Sequence, residues 1–366
     1  MLTNFKFKLY FSQRPKIQFM EVKQINTGTF IDDKEVIAIA LHNTKGSYVK
    51  IFNYGTIINQ FVVKNAKGEQ QDIVLGFDEF ESYISKAYLS NYPYFGAVIG
   101  RYANRIKNGK FSIDGIEYQL EKNNNEDCLH GGLTGFDRKV WDVISTSATP
   151  NASVTFQYYS LDGEENFPGD LAIQLTFELT DHNELILTYR ADTDEATAVN
   201  LTHHSYFNLS TTGEKIMDHL HQMPASHFLE QDHNDVVTGN LIDVSNTHHD
   251  FRKGKPIGEG WDQENGYDQS YVLDKAYGEL GLASKTTSPE GLALYVYSTE
   301  PVAHLYTSKY LDVKNGKSGR DYGAFDAFCV ETQHHPNGIN VPEFPTTILR
   351  PGETYTQTTI YKVSIN

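Results

Sequence analysis

Between Leu171 and Thr180 the chain alternates without a break. Leu171, Ile173, Leu175, Phe177 and Leu179 are apolar, and Ala172, Gln174, Thr176, Glu178 and Thr180 between them are small or polar. A period of two with one apolar side describes a half-buried strand. Leu185, Leu187 and Tyr189 repeat the pattern after a turn at Asp181, His182 and Asn183. Residues 111–120 read as a hairpin, with Asp114 and Gly115 supplying the positive φ of a tight turn. Further strands are expected at 48–63, 153–160, 292–298 and 354–364, the last after the turn signal Arg350-Pro351-Gly352-Glu353. Only residues 77–84 read as a helix, capped by Asp78 with Glu81 three residues on, and with Phe80, Tyr83 and Ile84 on one face. Strands without a strand–helix–strand rhythm predict an all-β fold, a large antiparallel β-sandwich with few short helices. No linker-like stretch or repeat divides the chain, so residues 20–366 are expected to form a single domain.

Charge narrows the partners. The 366 residues hold 47 acidic against 31 basic side chains, a formal net charge of -16. An acidic body repels phosphate backbones and anionic lipid, which argues against nucleic acid and membrane surfaces. No apolar run is long enough to span a bilayer. Cys128 and Cys329, the two cysteines, fit neither a disulfide framework nor a zinc spacing, and two small buried thiols are expected. Residues 1–19 are basic and aromatic but lack the continuous apolar stretch and cleavage site of a signal peptide. They are expected to be a non-native or disordered extension, with Met20 the candidate start and a cytoplasmic address.

Functional sites tend to lie where local rules break. In FGAVIGRYANRIKNGKF (95–111), Arg101, Asn104 and Arg105 interrupt a glycine-spaced apolar segment without any phosphate-loop spacing. Guanidinium and amide groups are good donors to sugar oxygens, although a structural arginine on a surface strand fits equally well. In LHGGLTGFDRKVW (129–141), glycines follow His130 and would let backbone approach a ligand; an idle loop histidine is the competing reading. In NLTHHSYFNLS (200–210), the adjacent His203 and His204 must point to opposite faces of a strand. One of them can enter a cleft as a proton donor, or the pair can simply sit at a polar edge. In FCVETQHHPN (328–337), Glu331 follows a short apolar run, where desolvation would make a carboxylate a better base; a salt-bridged glutamate is the alternative. His334 and His335 lack an acidic partner at metal-ligand spacing. NGYDQSY (265–271) sets Asp268 among aromatics, as a sugar-hydroxyl acceptor or a plain turn residue.

Taken in order, these five stretches resemble the aldose 1-epimerase (galactose mutarotase) family, supported by DIVLGFDEFESY (72–83), DGEENFPGDL (162–171) and LRPGETY (349–355). The resemblance runs from about residue 35 to the C-terminus. It implies a mutarotase-like supersandwich with a shallow sugar cleft and no metal or cofactor. It also implies roles: His204, directly before Ser-Tyr-Phe, and Glu331 as catalytic residues, with Asn104, Arg105, His130 and Asp268 binding substrate. His203 takes a position often filled by Asn. One departure stands out. Where some relatives carry a sugar-contacting Gln in Thr-Gln-Pro-Gly, this chain has Thr299-Glu300-Pro301-Val302, which implies an altered hexose preference.

Opening a pyranose requires a proton delivered to the ring oxygen and another removed from the C1 hydroxyl, which an acid–base pair can do together. The expected activity is therefore interconversion of the α and β anomers of a free aldose, by a monomer or homodimer. Competing expectations are a hexose-6-phosphate 1-epimerase, which needs extra Arg or Lys near C6, a non-catalytic sugar-binding protein on the same fold, and an accessory domain of a glycoside-processing enzyme.

Overall fold

The computed structural model describes residues 19–262 and 264–365. The expected N-terminal extension lies outside the described residues apart from the exposed Phe19. Among the described residues, antiparallel strands form a nine-stranded sheet, two five-stranded sheets and several two-stranded ribbons. No helix is long and apolar enough to cross a membrane.

The alternating segment is the spine of the nine-stranded sheet. Leu171–Leu179 is a strand whose residues are alternately buried and half-buried along its whole length. It pairs in unbroken register with Ala152–Ser160 on one side and Glu184–Thr193 on the other. The C-terminal strand Tyr355–Ile365 then joins Glu184–Thr193 to Leu292–Ser298. Inward residues of this sheet, such as Phe156, Ile173, Leu175, Leu187 and Val363, share one core with residues of both five-stranded sheets. Ile39, Leu41 and Phe61 come from the N-terminal sheet; Tyr271, Leu305 and Val330 come from the other. Facing sheets that bury one side each make the expected sandwich.

The hairpin at Asp114 and Gly115 forms as expected, with φ of 52° and 84° at the two turn residues. The expected strand at 48–63 is two strands, Tyr48–Phe52 and Ile58–Lys64. The expected helix is shorter and differently held. Phe80–Ile84 is a 3-10 turn with no side-chain cap, followed by a short α-helix at Lys86–Ser90 capped by Ser85. Asp78 accepts the Ser318 amide and Glu81 accepts the Thr29 hydroxyl, so neither is free to build a capping box. Cys128 and Cys329 are buried free thiols, and burial pushes the Cys128 pKa up to about 12.

Candidate active site

Three neighbouring strands of the C-terminal five-stranded sheet make the floor of the site: Asp268–Val272, Val302–Tyr306 and Cys329–Gln333. Ser270 pairs with His304, and His304 in turn pairs with Glu331. Asp268 pairs with Tyr306. Side chains alternate along a strand and match across a register, so Asp268, Ser270, His304, Tyr306 and Glu331 share one face. The intervening Tyr271, Leu305 and Val330 go into the core. Period two thus turns three scattered segments into one polar surface.

His204 arrives from another direction. The Thr202–His203 strand pairs with Val98–Ile99, and His204 exchanges backbone hydrogen bonds with Gly96 and Ala97. Its Nε2 lies 3.6 Å from Glu331 Oε1, with side chains only 6% and 2% exposed. The ring stacks against Tyr206 at 5.1 Å and Tyr94 at 5.9 Å, which fixes its plane. Its Nδ1 and the Glu331 Oε2 are buried without a hydrogen-bond partner among the described residues. Burial holds the His204 imidazolium below its ordinary range, and the Glu331 charge pushes the other way. His203 points away, bonded to Ser205 and packed on Phe177.

Asn104 and His130 face each other in left-handed backbone, with φ of 61° and 53°. The Asn104 amide donates to His130 Nδ1 at 3.2 Å, and the His130 amide donates to the Asn104 carbonyl. A neutral imidazole that accepts at Nδ1 carries its proton on Nε2. Burial keeps this ring neutral, aided by the nearby His204 and Arg105. The donor atoms of His130, His204 and Glu331 lie within 4.8 Å of one another, close enough for a metal ion. The backbone bond to Nδ1 leaves His130 Nε2 protonated, however, which suits a hydrogen-bond donor to a sugar oxygen rather than a metal ligand.

Arg105 leans over the same space, with Nε on Asn124 Oδ1 at 3.1 Å and a terminal nitrogen 3.4 Å from Asp235. All six expected site residues (Asn104, Arg105, His130, His204, Asp268 and Glu331) line one cavity of about 410 Å³. Sequence reasoning missed Tyr94, Tyr206, Tyr306 and His304, which also line it. The signal for His304 was a histidine inside the apolar run of the Val302–Tyr306 strand; its meaning depends on which strands flank it.

Three expectations need correction. Arg101 is not a sugar donor. It is buried, and its guanidinium bonds Pro168 O at 2.8 Å, Gly169 O at 3.0 Å and Ser160 Oγ at 2.6 Å, tying distant loops together. The glycines after His130 do not admit a ligand: at Gly131, with φ of 87°, a side chain would collide with the Gly100 carbonyl, and at Gly132 with Glu165. They let two site loops pack on each other. Glu300 lies away from the cavity that the six expected residues line. It pairs with His334 Nδ1 in a separate cavity of about 370 Å³, lined also by Tyr277 and Tyr355.

Residues 38–362 match the family model described as Aldose 1-epimerase. The chain belongs to the aldose 1-epimerase family. It is 40% identical to a galactose mutarotase from Bos taurus over 321 residues, 87% of this chain and 91% of that one. It is 32% identical to an aldose 1-epimerase from Escherichia coli over 333 residues, 88% of this chain and 94% of that one. Among solved structures, an aldose epimerase homologue from C. elegans superposes with a TM-score of 0.82 at 31% identity, covering 94% of this chain and 99% of its own.

Proposed function

We propose that the protein is an aldose 1-epimerase that interconverts the α and β anomers of free hexoses, galactose and glucose among them, by acid–base ring opening and reclosure. The observation that carries this reading is the His204–Glu331 pair. The two groups face each other at 3.6 Å, each keeping a second polar atom unpartnered, in a cavity lined by hydrogen-bonding side chains. At that separation the two groups do not consume each other in a hydrogen bond, and both can reach oxygens attached to one anomeric carbon.

In this mechanism His204, as imidazolium, protonates the ring oxygen while Glu331 takes the proton from the C1 hydroxyl. The C1–ring oxygen bond breaks to give the aldehyde. Rotation about C1–C2 turns the other carbonyl face to the ring hydroxyl, and reclosure returns both protons with the roles exchanged. The low pKa of His204 makes its imidazolium a strong donor. Arg105 and the Nε2–H of His130 bond hydroxyls and the developing charge at the ring oxygen, and Asp268 grips a hydroxyl away from C1.

The phosphorylated-sugar alternative is disfavoured by charge. Arg105 is the only Arg or Lys lining the cavity among the described residues, and Asp235 and Asn124 already engage it. The two buried free thiols support a reducing, cytoplasmic address. Polarimetry of freshly dissolved α-D-galactose, α-D-glucose and glucose 6-phosphate tests the reading. Faster drift for the free sugars is expected; drift at the buffer rate for both would reject it.

A further inference from the structure

His304 carries the further inference, because it is tied directly to Asp268, a carboxylate of the cavity. Its Nε2 is 2.8 Å from Asp268 Oδ1, and its Nδ1 is 2.9 Å from Ser270 Oγ. Glu331 is its partner in register on the next strand. Both ring nitrogens are engaged within the protein, so the ring is not free to bond a sugar. Asp268, by contrast, keeps Oδ2 without a hydrogen bond among the described residues and is partly exposed to the cavity.

We propose that His304 is a cationic positioning residue that, anchored on Ser270, holds Asp268 in place as an ionised acceptor whose second oxygen can grip a sugar hydroxyl. The proposal rests on the reading of this cavity as the aldose site. Burial favours the neutral form of a carboxyl group, and a protonated Asp268 would lose its acceptor strength.

The surrounding charges agree. Burial pushes the His304 imidazolium down, but the hydrogen bond and charge of Asp268, with the charge of Glu331, outweigh it and raise its pKa above 6.5. The Arg105 charge opposes this. Burial would raise the Asp268 carboxyl, but His304 first, then Arg105 and His204, bring it below its usual value. The His304 charge in turn helps to hold the His204 and His130 imidazoliums below their ordinary range. Tyr306, on the same strand, is buried and held neutral. Ser270 is fully buried and accepts from the imidazolium at Nδ1.

The expected signature is a shift, not only a loss. In His304→Gln the acid limb of kcat/KM moves to higher pH by roughly one unit, because the buried Asp268 takes up a proton more readily without its cation. KM rises several-fold. His304→Lys, which restores the charge, returns the limb toward the wild-type position even where kcat stays low. A merely structural histidine would lower activity equally at all pH values and leave the limb in place; that result in both variants overturns the proposal. An independent measurement needs no turnover: in the sugar-free full chain, NMR titration of the His304 ring should show an imidazolium persisting above pH 6.5. A ring that is neutral at pH 6.5 overturns the proposal as well. Absence of mutarotation by the wild type would reject the aldose reading, while the titration would still decide the charge on His304.

Discussion

Two buried histidine–carboxylate pairs sit on opposite sides of the Cys329–Gln333 strand and its extension, and they are built differently. In the Glu300–His334 pair, Nδ1 of the ring bonds Glu300 and Nε2 bonds the Tyr277 hydroxyl at 2.8 Å. The His334 backbone amide is taken by Asn200 Oδ1 at 2.9 Å. In the His204–Glu331 pair the groups stand 3.6 Å apart, and Nδ1 of one and Oε2 of the other go without partners. Exposure does not separate them: the side chains are 6% and 3% exposed in the first pair, 6% and 2% in the second. Saturation does. A structural pair is stable because its bonds are made; a catalytic pair must keep bonds open for substrate, and the rest of the protein offsets the cost.

The sharpest way to break this contrast is to remove one carboxylate from each pair. Glu331→Ala and His204→Ala should each lower kcat by about a hundredfold or more, since each removes a proton-transfer partner. Thermal melts of Glu331→Ala should stay near wild type or rise, because an unsatisfied buried carboxylate is gone. Glu300→Ala should do the reverse, costing about 3–5 kcal/mol of stability in urea titration through the stranded His334, with mutarotation near normal in the folded fraction. Equal losses of activity in the two variants would mean that saturation does not mark function.

Arg105→Ala sharpens the picture at the cavity wall. It should raise KM and lower kcat, each several-fold, by steady-state polarimetry; unchanged values of both would remove Arg105 from the site.

A smaller effect concerns the histidine next to His204. Burial takes His203 from 6.5 to about 3, so it is neutral in the folded chain where the unfolded chain would protonate it. Its contribution is fully present above pH 6.5 and is lost as pH falls through about 3, at ~1.4 kcal/mol per pH unit within that window. His203→Asn should therefore flatten the fall of stability between pH 6 and 4, measured by urea midpoints, while mutarotation at neutral pH is kept.

Much of this was legible beforehand. Alternation in 171–179 depends only on which side chains avoid water, and its strand appears with the expected face inward. His203 and His204 point apart because neighbours on a strand must. The capping pair Asp78 and Glu81 misled because a cap competes with every other donor nearby, and Ser318 and Thr29, distant in sequence, supply the partners instead. The glycines after His130 were expected to bring backbone close to a ligand, but what comes close is the Gly100 carbonyl.

The sequence alone determined the local alternation, the turns and the chemical types available, because these follow from each residue and its near neighbours. Tertiary structure decided which polar residues meet. His304 meets Asp268 and Ser270, with Glu331 as its register partner, only when the Asp268–Val272 and Cys329–Gln333 strands flank its own. Glu331 keeps a free oxygen, and His334 three residues later does not keep a free nitrogen, because register and packing set the partners of each. Hydrogen-bond saturation is a property of neighbours in space, and most of those neighbours lie far away along the chain.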